Sequence, residues 1–368
     1  MTADRDYRIA VFAGDGIGPE VISPTIDLLD QATALQGGAT LRFEHVEAGA
    51  SHFAKTGESI PEASLAVARS ADAILLGAMG MPEIRYEDGT EISPQLDLRE
   101  KLGLYAGVRP IRTVRGLPLP LADPRAGGLD IVLIRESTEG LFKSRNRCEL
   151  IDDTVARDTL EISRATSEKL FDFAFNLARK RKYRGGVGRV TCVDKANVLG
   201  SFAFFRRIFD ERAQHYPDLI SDHCYVDAVG LKLVKQPWDF DVLVTENMFG
   251  DILSDVGAGL MGGMGMAPSA DIGDRHAVFQ PCHGSAPDIV GRGLANPVAA
   301  VLSGAMMLDW LGSSHADRKL LAAGRALFAA VDAAFADGTL LPHELGGDAG
   351  TAKIAAALAG KLDAGAAD

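Results

Sequence analysis

The chain has 368 residues, 47% of them hydrophobic and 24% charged, an ordinary globular composition with enough length for two lobes, each with its own core. Fifty acidic residues against 38 basic ones give a net charge of −12, which argues against a protein that tracks a phosphate backbone. Four cysteines at 148, 192, 224 and 282 show neither CxxC spacing nor close pairing, so reduced thiols are expected rather than a zinc site or a disulfide frame.

The N-terminal segment MTADRDYRIAVFAGDG carries no leader pattern and runs into the first expected strand, Arg8–Phe12. A glycine turn follows, then helical periodicity over Pro19–Gln31. A strand at Leu41–Val46, a helix at Pro61–Arg69 and a buried-type strand at Ala73–Leu76 come next. The alternation continues with a strand at Asp130–Arg135, a helix at Ser163–Arg181, a strand at Arg189–Val193, a helix at Ser201–Glu211 and a strand at Phe240–Val244. The tail from Lys319 to Leu362 is alanine-rich and reads as helical. Strands alternating with helices predict an α/β fold with a largely parallel sheet. The longest apolar stretch, Val298–Leu308, is too short and too glycine-broken to span a bilayer. A soluble, cytoplasmic protein with no membrane and no nucleic-acid partner is expected.

Several motifs sit where such folds keep their chemistry. GDGIGPE (Gly14–Glu20) is a glycine-rich turn from strand to helix, suited either to an anion or cofactor at a helix N-terminus or to a tight turn alone. Its G-x-G-x-G spacing is not the dinucleotide fingerprint. Arg99 (LDLREK), Arg109 (GVRPIR) and Arg135 (LIRESTEG) offer planar forks that grip carboxylates. Lys195, in VTCVDKANVLG, lies one step past a strand, where a desolvated amine can act as a base and an ordinary surface salt bridge is the competing reading.

The most informative block runs from Val226 to Gly265. Asp251 and Asp255 stand four apart on an expected helix, so both carboxylates share a face, and Asp227 lies just upstream. Oxygen donors without thiolates suit Mg²⁺ or Mn²⁺. A glycine-rich turn is expected at Gly257–Gly265. Beyond it, FQPCHGSAPDIVGRGLANP (Phe279–Pro297) is a punctuated loop carrying His283 and Asp288. A carboxylate in such a loop can hold both ribose hydroxyls of NAD and would repel a 2′-phosphate.

Together, GDGIGPE, LREKLGLYAGVRP, IRESTEG, VDKANVL, YVDA, ENMFGDILSD, HGSAPDI and LGGDAGT resemble the β-decarboxylating dehydrogenases, the isocitrate and 3-isopropylmalate dehydrogenase family, over essentially the whole chain. The resemblance implies two α/β lobes around a cleft, not a Rossmann fold. Residues 1–104 and 262–368 would form the cofactor lobe, and residues 105–261 the substrate, metal and dimerisation lobe. It implies that Arg99, Arg109 and Arg135 clamp the carboxylates of a di- or tricarboxylate. Asp251 and Asp255 would hold the metal together with Asp227 of a partner subunit in a homodimer, and Lys195, also from the partner, would relay a proton with Asp227. Ile17, the loop residues His283, Gly284, Ser285, Ala286, Pro287, Asp288 and Ile289, and Asn296 would cradle the cofactor. Asp288, where NADP users carry a basic residue, predicts NAD.

The chain departs from the family after the strand arginine. The strand arginine is followed by R-E-S-T-E-G-L-F, so Phe142 stands where the family has the tyrosine that donates the final proton. A positioned acid is typically worth ~10²–10⁴-fold. Before the first clamp arginine the chain has Ile92, Ser93, Pro94 and Gln95, where isopropylmalate enzymes place leucines. Ser93 and Gln95 stand where isocitrate enzymes place polar contacts, and a buried polar group left unpaired costs ~1–3 kcal/mol. The wording elsewhere favours an isopropylmalate-like enzyme, with D-malate, tartrate or isocitrate as alternatives. A regulatory subunit without activity is the competing class, and the retained arginines, lysine and aspartates argue against it.

Overall fold

Apolar runs make the strands and helical-period stretches between them make the covering helices, in a computed structural model that describes residues 6–37 and 39–367. Residues 1–5, which open the segment read above for a leader pattern, lie outside the described residues, as do Gly38 and Asp368. In chain order the first elements are β1 (Asp6–Gly14), α1 (Gly18–Leu35), β2 (Thr40–His45), α2 (Ala50–Thr56), α3 (Glu62–Ser70), β3 (Ala73–Ala78), α4 (Pro94–Leu102), β4 (Ala106–Arg112) and β5 (Asp130–Glu136). There follow β6 (Glu149–Ile151), β7 (Val155–Arg157), α5 (Arg164–Tyr183), β8 (Arg189–Asp194), α6 (Gly200–Ala213), β9 (Ile220–Tyr225), α7 (Val226–Lys235) and β10 (Val242–Thr245). The remainder is α8 (Asn247–Met261), β11 (Pro268–Ile272), β12 (Ala277–Pro281), α9 (Val298–His315), α10 (Arg318–Phe335) and α11 (Thr351–Ala367).

Ten strands form one sheet in the order β2-β1-β3-β12-β11-β4-β5-β10-β8-β9, and β6 pairs with β7 in a separate arm. The sheet is mostly parallel, with helices on its faces, so strands such as β3 and β10 are buried throughout. The direction changes at the centre, where β11 runs antiparallel to β12 and to β4, and β4 antiparallel to β5. There Asp271 lies opposite Gly107 and Gly107 opposite Arg135, one row across three strands. Arg109 is two residues along β4 from Gly107 and shares its face. A Cβ at Gly107 would come within 2.5 Å of Ser137 Oγ and 3.1 Å of Asp271 Oδ1, so glycine makes the room for that carboxylate.

The expected strands and helices are present with their ends shifted. The strand expected from Phe240 starts at Val242, because Pro237–Asp239 forms a 3₁₀ turn that sets the entry. The tail is two helices, α10 and α11, separated by a stretch that includes Gly338 and Pro342. The turn expected at Gly257–Gly265 is corrected: α8 runs on to Met261 and ends at Gly262 in the left-handed region, φ 111°. Gly257 lies inside α8, and glycine suits the position because α8 runs close to β4, where an added Cβ would meet Ile111 Cδ1 at 2.4 Å. The apolar stretch near Val298–Leu308 becomes α9, an interior helix packed on β11 and β12. Among the described residues no helix is long and apolar enough to cross a membrane, and all four cysteines are free thiols.

Candidate active site

Arginine needs a partner when buried, and three arginines enter one cavity at the C-terminal edge of β5 and β10. Arg99 comes from α4, Arg109 from β4 and Arg135 from β5. With Gln95, Asp251, Ser254, Asp255, Gln280 and His283 they line a space of about 160 Å³. Arg135 donates through Nε to Asn247 Oδ1 at 2.9 Å and pairs with Asp251 through Nη1. Asn247 is itself fixed by donating to the Glu139 carbonyl at 2.8 Å. Burial and then the neighbouring Arg99 charge pull the Arg135 guanidinium down to about 10.

Asp251 and Asp255 both face the cavity from α8, as their spacing predicted. Burial, and then the charge of Asp251, raise the Asp255 carboxyl above its ordinary value. Two hard oxygen donors on one helix face, both turned to the cavity, fit a divalent cation. Asp227 does not line this cavity. It sits in the first turn of α7, two-thirds exposed, and pairs with Lys195 Nζ at 2.8 Å. Among the described residues no cluster of three metal-ligating side chains forms within the chain.

Sequence reasoning missed the residue beneath the arginines. Asp271, wholly buried on β11, takes Arg99 Nε at 3.0 Å and Arg109 Nη2 at 3.2 Å. It also accepts from Gln280 Nε2 at 2.8 Å and from Ser137 Oγ at 3.2 Å. Burial pushes its carboxyl up, but Arg109, Arg99 and Arg135 outweigh that and bring it down to about 2. Burial pushes the Arg109 guanidinium down, but Asp271, together with Cys282 and Asp251, holds it above its usual value. A lone aspartate in the run PSADIG carries no signal in the sequence; only the pairing of β11 with β4 makes its role visible.

Phe142 lies beside this group, its ring centroid 5.1 Å from Arg135 Cζ, so a cation–π contact holds the guanidinium where a hydroxyl is absent. Gln95 reaches the cavity and its Oε1 is buried without a partner, whereas Ser93 precedes the first turn of α4 and does not line the space. Ser269 Oγ and His283 Nε2 are also buried and unpartnered. Three such atoms around one cavity are the condition a polar ligand relieves.

Of the residues expected to cradle a cofactor, His283 and Gly284 reach the cavity, and the others lie along the loop after β12 and at the first glycine turn. Ile17 donates its backbone N–H to the Ser285 carbonyl at 2.9 Å, joining the first glycine turn to the loop after β12. In that turn Asp15 accepts from the amides of Ala50, Ser51 and Gly80, a structural use of the carboxylate that favours the tight-turn reading. His283 and Gly284 line the cavity, and burial lowers the His283 imidazole below its ordinary value, keeping it neutral. Ala286 is left-handed, at φ 40°, at the start of the short turn Pro287–Ile289, which exposes Asp288. Asn296 is fixed by donating to Glu344 Oε1 at 2.7 Å and accepting from the Val298 amide at 3.1 Å. Glu344, absent from the expected set, also accepts from the Gly265 amide and so ties the end of α8 to this loop.

Known proteins resemble this arrangement along its full length. The family profile described as Isocitrate/isopropylmalate dehydrogenase matches residues 8–358. The chain is 41% identical over 315 residues to a 3-isopropylmalate/3-methylmalate dehydrogenase of Methanocaldococcus jannaschii, covering 85% of this chain and 89% of the relative. It is 40% identical over 316 residues to the 3-isopropylmalate dehydrogenase of Aquifex aeolicus, covering 83% and 84%. Among solved structures, an isocitrate dehydrogenase from Methylococcus capsulatus superposes with a TM-score of 0.84 at 34% identity, over 97% of this chain and 99% of that one. A beta-decarboxylating dehydrogenase from Thermococcus kodakarensis gives a TM-score of 0.78 at 37% identity, over 97% and 96%. The chain belongs to the isocitrate/isopropylmalate dehydrogenase family, whose members use a nicotinamide cofactor and a divalent metal, and it is a β-decarboxylating dehydrogenase acting on a CH–OH group of a small carboxylic acid.

Proposed function

We propose that this chain oxidises and decarboxylates a 3-substituted 2-hydroxy dicarboxylic acid, as 3-isopropylmalate dehydrogenases do, using NAD and Mg²⁺ or Mn²⁺. The convergence of Arg99, Arg109 and Arg135 on the Asp251–Asp255 pair carries this reading. Planar guanidiniums bind the two carboxylates, and Asp251 and Asp255 would hold the metal. A bound divalent cation would supply Lewis-acid polarisation of the hydroxyl oxygen, and NAD would supply the hydride acceptor. Lys195 and Asp227, already hydrogen-bonded to each other, take up the hydroxyl proton from the partner's side of a shared site. Phe142 provides no proton, so protonation of the enolate falls to Lys195 or water. Exposed Asp288 accepts the ribose hydroxyls and disfavours a 2′-phosphate.

Residues 1–104 with 262–368 act as the cofactor lobe and residues 105–261 as the metal and dimer lobe. The homodimer is supported by the apolar side chains Leu231, Val234 and Ile252, each more than half exposed on the adjoining helices α7 and α8. The polar Gln95 favours a second reading among smaller or more polar acids, D-malate and tartrate. NADH formation with Mn²⁺ and NAD, measured across 3-isopropylmalate, D-malate, tartrate and isocitrate, tests the reading. Turnover of one of these acids is expected. A folded protein that binds Mn²⁺ yet oxidises none of them would defeat it.

A further inference from the structure

We propose that Asp271 sets the charge of the substrate: it tunes the cavity for an acid with two carboxylates and against one with three. The inference rests on the reading of the cavity as a carboxylate-binding dehydrogenase site. Arg99, Arg109 and Arg135 bring three positive charges, and Asp251, Asp255 and Asp271 bring three negative ones. A divalent cation on the α8 pair leaves an excess of two positive charges, which a dicarboxylate cancels and a tricarboxylate exceeds. The Lys195–Asp227 pair, if delivered by a partner, adds no net charge. His283 stays neutral because burial lowers its affinity for a proton.

Asp271 does not line the cavity; it acts from behind, through the arginines. Its two oxygens engage Arg99 Nε and Arg109 Nη2, while Arg109 Nη1 is occupied by the Val108 and Ala270 carbonyls. The forks therefore enter the site partly spent and fixed in direction. Gln280 and Ser137 hold the carboxylate in place, so it is a positioning residue with a charge effect. Removing its charge should help a trianion more than a dianion, because the gained attraction scales with ligand charge. At contact range in a partly buried site that difference is roughly tenfold or more in affinity.

Calorimetric binding of two unreactive probes tests this without turnover. Succinate and tricarballylate, titrated into the Mn²⁺-loaded protein, present two and three carboxylates. The wild type is expected to bind succinate at least as tightly as tricarballylate. In Asp271→Asn, with folding checked by circular dichroism, the tricarballylate-to-succinate affinity ratio should rise at least tenfold. A purely structural role would weaken both probes together and leave the ratio unmoved, which would overturn the proposal. If Asp271→Asn fails to fold, the wild type decides: tenfold tighter binding of tricarballylate than of succinate would overturn it, and parity or succinate preference supports it. Failure of the dehydrogenase reading would show separately, as absence of NADH with every acid while the probes still bind.

Discussion

A carboxylate with no exposure stays charged at Asp271 because three guanidiniums surround it, and this has a measurable consequence for stability. Its folded pKa of about 2 lies below the ordinary value of 3.8, so the charged form is favoured in the folded state. The stabilisation is complete above the unfolded value and is lost as pH falls through about 2. At ~1.4 kcal/mol for each pH unit, the separation is worth roughly 2–3 kcal/mol. Urea unfolding of the wild type and Asp271→Asn should therefore show a stability gap about 1 kcal/mol smaller at pH 3 than at pH 5. A gap independent of pH would mean that the variant acts through packing rather than charge. Phe142 makes the same point with an uncharged group: the ring packs on Arg135, so the position contributes to orienting the clamp while contributing no acid.

Among the elements, α8 does the most to shape the site, and its glycines decide how closely it approaches the sheet. A Cβ on Gly250 would lie 2.6 Å from Arg135 Cγ and 2.7 Å from its Cβ. Gly250→Ala should displace Arg135 or lift α8, lowering kcat/KM by roughly tenfold or more, since small misplacements of a binding group cost that much. Gly259 meets nothing within 4 Å, so Gly259→Ala should stabilise the helix by ~0.5–1 kcal/mol without that loss. Equal kinetics for the two variants would show that the close approach is unimportant. The same glycines explain where the sequence was legible. The i,i+4 spacing of Asp251 and Asp255 put both on one face, as found, whereas Gly257 read as part of a turn because its close packing on Ile111 is a tertiary fact. Strand β11 was missed because it opens on Pro268 and carries Asp271, neither of which favours a strand by itself. It exists because β4 and β12 flank it, and the partners of Asp271 lie 172 and 162 residues away in the chain. Arg99, Arg109 and Arg135 were legible as candidates from their settings, but their meeting point was not.

For the whole molecule, the informative fact is a separation: Lys195 and Asp227 pair with each other outside the cavity that Arg135, Asp251 and Asp255 line. In the proposed homodimer each cavity is completed by the partner's pair, so no single chain holds a full site. A two-fold axis makes this testable by complementation. Lys195→Ala and Arg135→Ala should each be inactive as a homodimer, for different reasons. When the two are unfolded together and refolded as a mixture, half the dimers are mixed. Each mixed dimer has one cavity with both defects and one with neither, because the intact Arg135 faces the other chain's intact Lys195. Activity should therefore return to about a quarter of the wild-type level at equal total protein. Placing a charge in the apolar patch, with Leu231→Asp, should abolish that recovery by keeping the chains apart, and sedimentation would report monomers. If mixing restored nothing while co-purification of differently tagged chains showed mixed dimers, Lys195 would have to serve the cavity of its own chain, and the shared site would be excluded.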